Sequence, residues 1–151
     1  MVELFSARSI KTSLDSIRQG SAGLDAHRTA MLNRVPNTGD WAKFPCEHLS
    51  MKDLAYLTAK TGHEFAILRG KHEDILFHGD SYRCSFDGVL NDMIRSKRLI
   101  IYGHSHPGEN IPRPSTQDRL ALKEIGQAES RLISGLTGYE VTYTSDQFEP
   151  M

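Results

Sequence analysis

Ile100-Ile101-Tyr102-Gly103-His104-Ser105-His106-Pro107, followed after a loop by Pro114-Ser115-Thr116-Gln117-Asp118, decides how the rest of the chain is read. Side chains alternate along a strand, so His104 and His106 project to the same side and can converge on one ion. Apolar Leu99, Ile100 and Ile101 mark a buried strand leading to them, and Pro107 ends the ladder with the imidazoles at its mouth. A helix is expected over Thr116 to Ile125, with Gly126 just beyond it, and it carries Asp118 on the same face as Leu122 and Ile125. A carboxylate on a face that buries needs a partner or a metal. Ser115 and Asp118 also spell a capping box, a role compatible with metal ligation. His-Ser-His alone also has a reading as a hydrogen-bonded surface pair, the lesser of the two, and Asp118 downstream turns the balance further toward a metal.

The composite His104-Ser105-His106-Pro107 and Ser115-x-x-Asp118 resembles the zinc signature of the JAMM (MPN-plus) metalloprotease family, whose members include deubiquitinases and bacterial peptidases. Eight residues separate His106 from Ser115, one more than the usual family pattern. Lengthening a loop by one residue costs little. The resemblance covers approximately residues 50 to 147 and implies a single α/β domain with cytidine-deaminase-like layering, a mixed sheet and flanking helices. It implies Zn2+ on His104, His106 and Asp118, and a Ser115 hydroxyl that helps to stabilise an oxyanion. The order helix, Glu, apolar strand, Gly in residues 51 to 70 is similar to the opening of JAMM domains, where the glutamate is the general base. Glu64 matches it, although Gly70 follows by six positions, one fewer than is usual. Glu73 is the second candidate, and a solvated strand-end glutamate is the structural alternative.

With 151 residues the chain reads as one domain with a sizeable core. A net charge of −1 argues against an electrostatic nucleic-acid binder. Arg95-Ser96-Lys97-Arg98 is better explained as cations closing a helix. No apolar run approaches the roughly twenty residues that span a bilayer, and the start lacks a signal-peptide pattern. A cytoplasmic protein is expected, with non-classical export left open. Two cysteines, Cys46 and Cys84, suit a reducing compartment. Cys46-Glu47-His48 lacks the orienting constellation of a thiol nucleophile, and a zinc deaminase would require Pro-Cys-x-x-Cys, which is absent.

Residues 1–49 read as an N-terminal helical extension and connector, and residues 50–147 as the JAMM-like domain. Ile10, Leu14 and Ile17 recur at helical spacing before Gly20, a second short helix is expected from Leu24 to Val35, and residues 36–49 look like a connector. Two helices packing on the remainder is favoured over a partner-binding arm. Ser50 opens a helix closed by Gly62; Glu64 to Arg69 and Ile75 to His78 form a hairpin with Glu64 at the end away from the turn. In the first strand Phe65 and Ile67 face one way, Ala66 and Leu68 the other. Ser85 to Lys97 reads as a helix carrying Val89, Met93 and Ile94, while Arg131 to Ser134 and Glu140 to Thr144 read as strands. His27, His48, His63, His72 and His78 have no comparable spacing partner.

The expected chemistry is hydrolysis of an amide by a metal-activated water, in a peptidase or isopeptidase acting on a peptide tail or a ubiquitin-like conjugate. A peptide lying along a sheet edge would direct its carbonyl at the metal. Gly next to the bond and selectivity from the Gly108 to Arg113 loop are expected. A bacterial toxin or effector using the same site is the first alternative. An inactive scaffold ranks last, because His104, His106 and Asp118 are all present. Neither substrate identity nor oligomeric state follows from the sequence.

Overall fold

The computed structural model describes the backbone of residues 2–146 and 148–150 and the side chains of residues 10–146. In chain order the elements are α1 (Val2–Gln19), α2 (Ala26–Arg34), β1 (Trp41–Pro45), α3 (Met51–Thr61), β2 (Phe65–Arg69), β3 (Glu73–His78), α4 (Gly88–Arg95), β4 (Ile100–His106), α5 (Thr116–Ile125), β5 (Ser130–Ser134), β6 (Glu140–Tyr143) and β7 (Phe148–Pro150). Among the described residues the strands join one seven-stranded mixed sheet in the order β1-β3-β2-β4-β5-β6-β7. β4 and β5 run parallel and the other neighbours antiparallel. The fold is thus α/β, with helices flanking a mixed sheet. No helix among the described residues is long and apolar enough to cross a membrane.

Local chemistry sets the helix bounds. Ser50 with Asp53 and Ser115 with Asp118 form complete capping boxes, and Gly62 and Gly126 end the same two helices at φ of 76° and 69°. That left-handed conformation is open to glycine at little cost. Alternation along β2 then divides the core. Phe65 and Ile67 join Leu14 and Ile17 of α1, Met31 of α2 and Leu54 and Leu57 of α3 on one face. Ala66 and Leu68 join Leu90 and Ile94 of α4 and Ile101 of β4 on the other, with Ile125 of α5 alongside. The sheet is therefore sandwiched, and α1 and α2 share a core with α3.

Three elements differ from the sequence reading. Residues 36–49 contain strand β1, which pairs with β3 from Trp41↔Phe77 to Pro45↔Glu73. The helix expected from Ser85 starts at Gly88, because Asp87 takes the cap and accepts from Leu90 N at 2.8 Å. Its buried face is Leu90 and Ile94, whereas Val89 is exposed. A seventh strand, β7, extends the sheet beyond β6.

The strand carrying the histidines is central. β4 pairs with β2 through His104↔Ala66 and with β5 through Gly103↔Arg131 to His106↔Ser134. The register between β2 and β4 shifts between Ile67, opposite Gly103, and Leu68, opposite Ile101, so Tyr102 is the extra residue of a bulge. A side chain at Gly103 would bring its Cβ within 2.4 Å of Met51 Sδ and 3.0 Å of Arg131 O, so α3 approaches β4 as closely as glycine allows.

Candidate metal centre

The bulge at Tyr102 resets the alternation of β4, so that Ile101, His104 and His106 share the face bearing Ala66. α5 packs on that same face and brings Asp118 over the strand mouth. Asp118 Oδ2 lies 3.2 Å from His104 Nε2 and 3.4 Å from His106 Nε2. Glu64 immediately precedes β2, and its Oε2 is 3.7 Å from His106 Nε2. Two imidazoles and two carboxylates thus meet at one point, and Glu64, His104 and His106 are all buried.

Polar groups around the site fix its parts. Between the histidines, Ser105 faces the opposite side, fully buried against α3. Its Oγ accepts the Phe65 N–H at 2.9 Å and lies 2.6 Å from Thr58 Oγ1. Thr58 Oγ1 also lies 2.8 Å from His63 O and Ser105 Oγ 3.3 Å from Phe65 O, so the two hydroxyl protons are shared among the contact between them and two backbone carbonyls. This chain ties α3 and β4 to the start of β2, and so holds Glu64 relative to the imidazoles. The Glu64 backbone is also pinned, donating to Asp80 O and accepting from Gly79 N. Glu109 Oε1 lies 2.9 Å from His106 Nδ1, the ring nitrogen facing away from the cluster. A carboxylate there orients the imidazole and fixes the tautomer that leaves Nε2 for a metal.

The electrostatics follow from burial and proximity. Burial raises the Glu64 carboxyl above its ordinary value, with the two histidines opposing it. Burial also opposes charge on Asp118, but His104, His106 and the Ser115 N–H outweigh it and hold the carboxyl far below the usual range. His106 is disfavoured as a cation by burial, yet Asp118, Glu64 and Glu109 together lift its pKa to about 9. The two carboxylates are therefore unlike: Asp118 is firmly ionised, whereas Glu64 is a stronger base than an ordinary glutamate.

The donor set suits a divalent cation. Among the described residues, His104 Nε2 is buried and makes no hydrogen bond, even with Asp118 Oδ2 at 3.2 Å, because that oxygen lies off the N–H direction. A buried ring nitrogen without a hydrogen bond, close to a carboxylate and a second imidazole, is a position that a bound cation could satisfy. Glu64, His104 and His106 offer ligand atoms all within 4.8 Å of one another and could hold an ion. Asp118 competes with Glu64 for the third position. Asp118 Oδ2 lies 3.2 Å and 3.4 Å from the two imidazole nitrogens and Glu64 Oε2 3.7 Å from His106 Nε2, so both carboxylates are within reach of one ion.

The other candidates separate clearly. Glu73 sits at the turn end of the β2–β3 hairpin, opposite Pro45, whereas Glu64 lies at the far end. Ser115 caps α5: its Oγ accepts the Asp118 N–H at 3.0 Å, and its own N–H donates to Asp118 Oδ2 at 2.8 Å. The cap uses an acceptor lone pair and leaves the hydroxyl proton free to donate. The expectation of a peptide lying along a sheet edge at the site fails, because β4 is paired on both sides and the outer strands are β1 and β7. His63 and His78 do find a partner, in each other, with Nδ1 and Nε2 2.8 Å apart. Sequence reasoning missed Ser105 and Glu109. A small polar residue buried between two histidines, and a carboxylate three positions after His106, were the available signals.

A cavity of about 200 Å³ opens beside the cluster, with His104 and Asp118 in its wall. No protein-family model, curated protein or solved structure matches this chain.

Proposed function

We propose that the protein is a zinc-dependent peptidase or isopeptidase of JAMM type, hydrolysing an amide bond with Glu64 as general base. The observation that carries the reading is the convergence of His104 Nε2 and His106 Nε2 within 3.4 Å of the shared Asp118 Oδ2, with the buried Glu64 carboxylate alongside. His104, His106 and Asp118 would hold the ion. A bound zinc supplies Lewis acidity, bringing the pKa of a water it polarises to about 7.

The chain's own groups do the rest. Glu64, raised in pKa by burial, takes the proton of the attacking water and returns it to the leaving amine. Ser105 and Thr58 keep Glu64 in register, and Glu109 keeps the His106 ring in place. The Ser115 hydroxyl, free to donate, serves the oxyanion that develops on the substrate carbonyl. The substrate is a peptide segment or tail of a folded partner, lying across the strand mouth.

Mass spectrometry of peptides, tail peptides and ubiquitin-like conjugates, incubated with zinc-loaded protein with and without chelator, tests the proposal. Chelator-sensitive amide cleavage is expected. Full zinc occupancy with no cleavage of any of them would overturn it.

A further inference from the structure

The 200 Å³ cavity beside the cluster lies between the segment Arg83–Phe86, β2, β4, β6 and α5. Its inner walls are Ala66, Ile101, Cys84, Phe86, Ala121 and the Tyr143 ring, and His104 and Asp118 belong to it as well. Ala66, Ile101 and Tyr143 are buried at 0%, 8% and 2% exposure. The polar contributors Arg83, Ser85 and Gln117 are exposed and therefore stand at the rim. The outer end is thus wet and the inner end apolar, next to the reacting atoms.

We infer that this cavity receives one apolar side chain of the substrate, of about leucine size, from a residue flanking the scissile amide. The inference rests on the peptidase reading and names its substrate class: an ordinary peptide segment rather than a Gly-Gly tail. Size supports it, since an apolar cavity of about 150 Å³ holds a benzene ring, and this one is somewhat larger. Charge supports it too. An acidic side chain would lose its water against the apolar walls, the Arg83 cation standing only at the exposed rim. A lysine would lose its water against apolar walls, while Asp118 is already engaged by two imidazoles and the Ser115 N–H. Glycine would leave the cavity unfilled and gain nothing from it.

Two measurements test the inference. Zinc-loaded protein is profiled on a peptide library varied at the residues flanking the cleaved bond. Leucine-containing peptides should be cleaved roughly ten- to a hundredfold faster than glycine ones, the factor that burying one such side chain supplies. Ala121→Phe and Cys84→Leu, which fill the cavity from opposite walls, should each flatten that preference, with thermal unfolding reporting which variants remain folded. Independently of cleavage, N-acetyl-leucinamide titrated into the protein should shift the amide resonances of residues 83–86 and 121, and N-acetylglycinamide should not. Cleavage without a leucine-over-glycine preference, or no leucinamide-dependent shifts, would overturn the inference while leaving the peptidase reading intact. Leucine-selective shifts with no cleavage of any peptide would uphold the cavity's selectivity and overturn the peptidase reading.

Discussion

Replacing Ser105 by Ala removes one oxygen from a position with no exposure, so its cost can be worked from the bonds it leaves. The Phe65 N–H loses its acceptor at 2.9 Å, and no water can replace it at a fully buried strand start. Thr58 Oγ1 loses a hydroxyl partner at 2.6 Å but keeps its own bond to His63 O. One buried donor without a partner costs about 1–3 kcal/mol, and the lost neighbour bond adds about 1 kcal/mol. A total of roughly 2–4 kcal/mol is expected, because the methyl of alanine fits the space already present. Urea unfolding followed by tryptophan fluorescence measures it, with Trp41 as the reporter. The midpoint should fall by about 1–2 M with the slope unchanged, taking a slope near 2 kcal/mol/M. Hydrolysis should also fall, since Ser105 holds the strand start that carries Glu64. A midpoint within about 0.2 M of wild type would refute the chain Phe65–Ser105–Thr58 as the element that pins the site.

Other consequences are equally direct. Glu64→Gln keeps shape and removes basicity, so hydrolysis should drop roughly 10²–10⁴-fold in peptide assays, while Glu73→Gln at the opposite hairpin end leaves it unchanged. Glu109→Gln weakens the bond that orients His106, and zinc affinity, read by competition with a chromogenic chelator, should fall about 10–100-fold. In protein stripped of metal, the His106 pKa of about 9 lies above its unfolded value of about 6.5. That contribution is complete below about pH 6.5 and is lost as pH climbs through 9, so chelated protein should lose on the order of 3 kcal/mol across that window in urea titrations, and His106→Gln should flatten the loss.

What the sequence revealed was what local signals encode. Ser50, Asp53 and Gly62, and Ser115, Asp118 and Gly126, bound their helices because caps are satisfied within a few residues of chain. The proximity of His104 and His106 followed from a two-residue spacing, and that of Asp118 from a helix face that buries. What stayed hidden depends on pairing partners. The Tyr102 bulge exists only in the register between β2 and β4. Strand β1 is an edge strand of five residues with Lys43 and Pro45 in it, and its order comes from β3 rather than from alternation of its own. Asp87 displaced Ser85 as the α4 cap, a competition between two good capping residues that spacing alone does not decide. Ser105 looked like a spacer because its partners, Thr58 and Phe65, are 47 and 40 positions away.

The central claim is that His104, His106 and Asp118 hold the metal while Glu64 stands beside it as the base. Equilibrium zinc titration of metal-stripped protein, by isothermal calorimetry with wild type, Asp118→Ala and Glu64→Gln in parallel, tests it most directly. The account predicts one tight zinc per wild-type chain, near-normal affinity in Glu64→Gln, and a loss of most affinity in Asp118→Ala, since two imidazoles alone hold zinc poorly. Tight binding in Asp118→Ala together with loss in Glu64→Gln would make Glu64 the third ligand and contradict the account.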